Sequence, residues 1–426
     1  MFFLYDIILV DVFVLYLPYL FWRRKWHKDF LMRLGFLPPG LVQSLRDKPN
    51  IWVHAVSVGE VLAVKNFIRQ IREEFPRYNI VISVVTKTGY EVARSQFQTG
   101  ETIIFAPLDF TWAARKFADT IAPKVYVAAE TEIWPNLLRI LQNKNIPIAI
   151  INGRISQRSY DGYRRISFLM KPILNGIAIF CMQSAADAKR IIELGARVDR
   201  VHAVGNVKFD ELPAADEALP DFGFEKSERL WIAGSTHPGE EDILLDLHKM
   251  IQTKFPDLRL VLAPRHIERS REIIYLVEEK NFRPVLLSKL RETKLTPHSV
   301  VIVDTMGKLR SLYPLAAIVF VGKSLLGRGG QNVIEPASFS KPVLVGPHTD
   351  NFRDVIRLFC EANAIIQVRN PQQLGEEILR LLQSPEERSE LGRRAYQVVK
   401  TNQGATAKSL EFIRSLLKSA AYIRLY

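Results

Sequence analysis

From Asn50 onward, short runs rich in Val and Ile alternate with helical, amphipathic stretches, and this rhythm constrains the fold more than any other feature of the chain. Continuous apolar runs are strands buried on both faces. The segments between them are long enough for the helical crossovers that parallel strands require. In the first half such runs occur near Ile51–Val56, Ile80–Val85, Thr102–Phe105, Lys124–Ala129, Pro147–Ile151, Ala178–Cys181 and Val201–Val204. In the second half they recur near Leu230–Ala233, Arg259–Ala263, Val285–Leu287, Ser299–Val303, Ala317–Val321, Pro342–Val345 and Ile365–Val368. A polar stretch with prolines, Asn206 to Glu228, separates the two sets. At 426 residues the chain is too long for one ordinary core. We therefore expect an α/β protein with two doubly wound parallel domains, residues 31–210 and 211–390, between an N-terminal segment 1–30 and a C-terminal helical segment 391–426.

The segment 1–30 differs from the rest. Ten aromatic residues precede position 31, and the stretch is apolar until Arg23 except for Asp6 and Asp11, with Pro18 to bend it. Its length is sufficient for a membrane span. Arg23, Arg24, Lys25, Lys28 and Arg33 follow the apolar part instead of preceding it, unlike a secretory signal, and would hold the rest of the chain on the cytoplasmic side. The segment is expected to span the membrane or lie in its interface; the alternative is an aromatic-rich helix packed on the protein itself. Cys181 and Cys360 lie far apart in apolar stretches, so neither a disulfide framework nor a cysteine metal site is expected. The net charge of +13 fits an anionic membrane surface. Basic and acidic residues are interspersed and no recognition motif occurs, which argues against a nucleic-acid partner.

Chemistry in open α/β sheets is sought just after the strands. The first strand runs into His54-Ala-Val-Ser-Val-Gly-Glu60, where Glu60 stands at a helix start and either caps that helix or serves as a general base. After the fourth strand, Glu130-Thr-Glu132-Ile-Trp-Pro-Asn136 brings two carboxylates that need partners or a wet cavity. Arg154, in Asn152-Gly-Arg154-Ile-Ser156, suits an anion contact or a salt bridge to those carboxylates equally well. In the second half, Gly234-Ser235-Thr236-His237, Pro264-Arg265-His266, Asp304-Thr-Met306-Gly307, and Gly322-Lys323-Ser324 continuing to Gly329-Gly330-Gln331-Asn332 and Glu335 follow successive strands. Small residues and backbone N–H groups there would cradle a phosphate, and Glu335 could accept ribose hydroxyls. Neither the dinucleotide fingerprint nor the Walker pattern is present.

Together with the aromatic N-terminus, Gly205-Asn-Val-Lys208-Phe-Asp210, Gly346-Pro-His348 and Asn351-Phe352, these strings resemble the 3-deoxy-D-manno-octulosonate (Kdo) transferases of lipopolysaccharide synthesis. The resemblance implies a GT-B fold, two Rossmann-like domains facing a cleft, with an N-terminal membrane-anchor helix. It implies an inverting transfer of one or more Kdo residues from CMP-Kdo to a lipid A precursor at the cytoplasmic face of the inner membrane, with no cofactor and no metal. By motif position Glu60 would be the base, with Glu130 and Glu132 supporting the acceptor side and Arg154 and Lys208 contacting acceptor or anion. The donor would meet Ser235, Thr236, Arg265, Met306, Gly307, Ser324, Gly329, Gly330, Asn332 and Glu335. Lys323, Gly327 and Gln331 depart from the family's usual residues in the glycine loop. The rival expectation is a GT-B transferase with a UDP-sugar donor and another membrane lipid as acceptor.

Overall fold

The computed structural model of the protein describes residues 2–22, 30–97, 100–210, 221–225, 228–327 and 329–422, with side chains from residue 4 to 15 of the first helix and up to 418 of the last. The chain divides into two compact units. One comprises Met1–Asp210 and Gln403–Tyr426, the other Glu211–Asn402. The basic residues Arg23, Arg24, Lys25 and Lys28 lie outside the described residues.

The first unit holds strands β1 (Asn50–His54), β2 (Asn79–Val84), β3 (Thr102–Phe105), β4 (Pro123–Ala129), β5 (Ile148–Gly153), β6 (Ile179–Met182) and β7 (Val201–Ala203). They form one parallel sheet in the order β3-β2-β1-β4-β5-β6-β7. The order reverses between β1 and β4, the crevice where ligands enter such sheets. Alternation along β1 explains its burial on both faces. Trp52 packs in a cluster with Phe117, Tyr126 and Leu141, while Ile51 and Val53 face Phe67, Ile68 and Ile71.

The second unit holds β8 (Arg229–Thr236), β9 (Leu258–Pro264), β10 (Arg283–Leu286), β11 (Ser299–Ile302), β12 (Ala316–Val321), β13 (Val343–Val345) and β14 (Ile366–Gln367), parallel and ordered β10-β11-β9-β8-β12-β13-β14. Its reversal lies between β8 and β12. Every strand lies where an apolar run predicts one.

The C-terminal segment, by contrast, is not one piece. The helix Pro385–Thr401 stays with the second unit, whereas the helix Ala405–Tyr422 belongs to the first. Its residues Leu410, Ile413 and Leu417 complete the cluster of Ile51 and Val53, and the spacing of three and four places them on one helical face. The Asp210 carboxylate accepts from the N–H groups of Gly404 and Thr406, both at 2.6 Å, and so anchors the start of that helix.

The helix Phe2–Trp22 docks on the first unit through its polar groups. Asp6 accepts from Thr111 N at 3.1 Å, Thr111 Oγ1 at 2.6 Å and Asn136 Nδ2 at 2.8 Å. Tyr5 donates to Asp109 Oδ2 at 3.1 Å, and Phe13 meets Phe30 and Phe110. Leu4, Ile8, Val12, Val14 and Leu15 remain exposed. Among the described residues no helix is long and apolar enough to cross a membrane.

Candidate active site

Glu60 sits in the first turn of the helix Val58–Ala63, immediately past β1. Ser57 caps that helix, accepting from Glu60 N, and in return donates its hydroxyl to Glu60 Oε1 at 2.8 Å. Glu60 Oε2 accepts from Val56 N at 2.7 Å. The capping reading of Glu60 is therefore met. The carboxyl braces the helix start through Val56 N and the Ser57 hydroxyl, yet it is also 7% exposed, and burial pushes its pKa up to about 7, against the opposing pull of those two bonds. The charges of Glu130 and Glu132 push in the same direction as burial, which brings the carboxylates after β1 and β4 into one site.

Glu130 adopts φ 56°, a left-handed backbone that turns the chain sharply at the end of β4, and its N–H still bonds to Ile151 O at 2.9 Å. Its carboxylate pairs with Arg154 Nε at 3.3 Å. Arg154 thus serves the salt bridge, and its side chain, half exposed, keeps donors free at the surface. Glu132 accepts from Trp134 Nε1 at 3.2 Å, and burial raises its pKa. Asn136 ends this loop as a brace: its Nδ2 donates to Asp109 O and Asp6 Oδ1, while Asp109 Oδ2 and Oδ1 accept from the N–H groups of Asn136 and Leu137. Asp109 was not singled out in the sequence. It precedes a helix start, the one local signal it carries.

His54 is a core residue. It is buried, Nδ1 lies 2.9 Å from Ser83 Oγ, and burial lowers its pKa to about 4, so it stays neutral. Lys208 lies past β7, its N–H held by Asn206 Oδ1.

In the second unit, Ser235 and Thr236 end β8, Arg265 and exposed Met306 and Gly307 follow β9 and β11, and the loop after β12 carries Ser324, Gly329, Gly330 and Asn332, with Glu335 in the helix that follows it. Two of these have their polar groups committed inside the fold. Thr236 is fully buried and donates to Glu241 Oε1 at 2.8 Å, a carboxylate that Arg269 also holds. Ser324, equally buried, donates to Val321 O and accepts from Gly346 N. A ligand could reach either hydroxyl only by breaking these bonds. Gly346 is required there, since a Cβ would lie 2.1 Å from Ser324 O. Asn332 Oδ1 accepts from Ile334 N at 3.0 Å and starts the helix Ile334–Ser338. Glu335 in that helix has its pKa raised by burial, with Arg310 opposing. Glu240, which the sequence left unremarked, accepts the N–H groups of His237, Lys323, Ser324 and Leu325.

Two parallel doubly wound domains, each with a strand-order reversal, define the GT-B fold class. Residues 237–398 match the family described as Glycosyl transferases group 1, and residues 28–211 match that described as 3-Deoxy-D-manno-octulosonic-acid transferase (kdotransferase). The chain is 33% identical over 378 residues to the 3-deoxy-D-manno-octulosonic acid transferase of Haemophilus influenzae, covering 87% of each. It is 28% identical to that of Chlamydophila psittaci, covering 91% of this chain and 90% of that one. In fold it is similar to UDP-GlcNAc 2-epimerase from Neisseria meningitidis, with a TM-score of 0.57 and 12% identity, over 86% of this chain and 100% of that one. The chain belongs to the Kdo transferase family.

Proposed function

We propose that this protein transfers one or more Kdo residues from CMP-Kdo to a lipid A precursor, with inversion, and that Glu60 is the base. The observation that carries this reading is the Glu60 carboxyl, nearly buried at the sheet reversal with a pKa near 7. A base poised near the working pH takes a proton efficiently. The acceptor hydroxyl oxygen bonds to the anomeric carbon of Kdo, Glu60 takes its proton, and the bond from that carbon to the phosphate oxygen breaks with its electron pair leaving on CMP. The leaving group is already an anion at neutral pH, so the step needs no general acid, only positive charge and N–H dipoles at the phosphate.

Arg154 and Lys208 are assigned to acceptor phosphates. Donor contacts are assigned to Ser235, Arg265, Met306, Gly307, Gly329, Gly330, Asn332 and Glu335, while Thr236 and Ser324 shape the loops. The helix Phe2–Trp22 is assigned to the inner-membrane surface on the cytoplasmic side. Its docking through Tyr5 and Asp6 and its outward Leu4, Ile8, Val12 and Leu15 support an interfacial seat. The helix Gln157–Arg165 adds exposed Arg158, Arg164 and Arg165, followed by exposed Ile166 and Phe168.

The test is incubation of the detergent-solubilised protein with a lipid A precursor and CMP-Kdo generated in situ, with the lipid product weighed by mass spectrometry. Increments of one or more Kdo units are expected. No increment from a folded, CMP-binding protein would point to another acceptor. Stabilisation by UDP in place of CMP would return the donor assignment to the UDP-sugar reading.

A further inference from the structure

We propose that Lys323 holds the donor's phosphate in the second unit, a role that rests on the CMP-sugar reading above. In loops of this kind backbone N–H groups ordinarily form the anion cradle. Here that cradle is already filled. The Glu240 carboxylate, 1% exposed, accepts from Lys323 N at 2.7 Å, Ser324 N at 2.9 Å, Leu325 N at 3.0 Å and His237 N at 3.0 Å. Three consecutive amides that would greet a phosphate therefore point at a buried anion. A second anion arriving above it needs a cation, not more dipoles.

Lys323 is placed to supply that cation. It lies at the end of β12, at the sheet reversal, beside the Ser235–Thr236 end of β8 to which Gly322 N is bonded through Gly234 O at 2.8 Å. Its backbone has φ 58°, a left-handed conformation that glycine adopts freely and lysine adopts at a cost. Strain of this sort, held by the Glu240 bond on one side and the Gly330 N to Lys323 O bond of 2.7 Å on the other, is retained where a side chain must be aimed. The stem packs on Gly329: a Cβ added there would lie 2.7 Å from Lys323 Cε and 2.8 Å from Cδ, with Asn351 Nδ2 at 3.2 Å. The missing side chain of Gly329 thus leaves the room that the Lys323 stem occupies. Among the described residues that ammonium has neither a hydrogen-bonding nor an ion-pairing partner. A partly buried cation left without an anion, over a cradle filled from below, matches a nucleoside monophosphate ester.

The experiment compares CMP with cytidine by titration calorimetry on the full-length protein in detergent. The phosphate's contribution is the ratio of the two affinities. In Lys323→Gln that ratio is expected to fall about tenfold or more, the loss typical of a charge-assisted hydrogen bond, with cytidine affinity unchanged. Lys323→Arg should retain most of it. If the Gln variant misfolds, Lys323→Gly, which relieves the left-handed strain, serves the same purpose. A ratio within about twofold of wild type in a folded variant overturns the proposal, as does a wild type that binds CMP no better than cytidine. A wild type that binds UDP but not CMP overturns the CMP reading alone, and UDP against uridine then tests Lys323 in the same way. Binding of neither nucleotide overturns both.

Discussion

Glu60 is both the proposed base and a buried carboxyl, and the two predict opposite effects of one substitution. As base it must be ionised, so kcat/KM is expected to rise with pH through an acid limb near 7, the value to which burial pushes the carboxyl. Glu60→Gln should cut transfer by about 100-fold or more while CMP still binds, which a turnover assay with calorimetry would check. Near-normal turnover would remove Glu60 from the mechanism. Stability runs the other way. A folded pKa above the ordinary 4.5 favours the fold when the group is protonated, and that contribution is lost as the pH rises from there through about 7. Glu60→Gln is therefore expected to melt higher than wild type at pH 8, with the gain shrinking toward pH 5. Arg154 tunes the same limb. It partly offsets Glu130, whose charge raises the Glu60 pKa, so Arg154→Gln should move the acid limb to higher pH; an unmoved limb would restrict Arg154 to the acceptor. The place of Glu60 was legible in the sequence because a strand, a glycine and a helix start are local patterns. Its pKa was not, since Glu130 and Glu132 come from a strand some seventy residues on.

At the scale of elements, both terminal helices are held by aspartates whose partners are far away in the chain. Asp6 interrupts an apolar stretch, which in the sequence counts against a span. In the fold it binds Thr111 and Asn136, and the interruption becomes the lock that fastens the helix beside the loop of Glu130 and Glu132. Asp6→Ala removes three acceptor contacts and should cost about 1–3 kcal/mol of docking, read as faster amide exchange across residues 4–15, with CMP affinity unchanged. The last helix is a core element of the first unit. Ile413 is fully buried there, and Ile413→Ala should destabilise that unit by about 2–5 kcal/mol in urea unfolding followed by a probe in the first sheet. An unshifted transition would mean that the helix is dispensable.

For the whole molecule, charge and apolar surface act together. A +13 chain with exposed Ile8 and Leu15 on its first helix should bind vesicles of anionic lipid and release them as salt rises, because the Debye length shortens to about 10 Å at 0.1 M. A double substitution, Ile8→Asp with Leu15→Asp, should weaken binding even at low salt, measured by co-sedimentation. If only salt matters, the surface is electrostatic and the helix is not inserted.

The sequence by itself determined the two parallel sheets and the places where chemistry can sit. Buried parallel strands write themselves as continuous apolar runs, and the candidate residues follow them at short range. The tertiary structure alone decided which charges meet. Glu240 fills the amide cradle after β12, Asp6 finds Asn136, and residues 405–422 return to the first unit. Each of these contacts joins segments dozens to hundreds of residues apart. A carboxylate's partner depends on where folding brings donors together and excludes water, which no local pattern encodes.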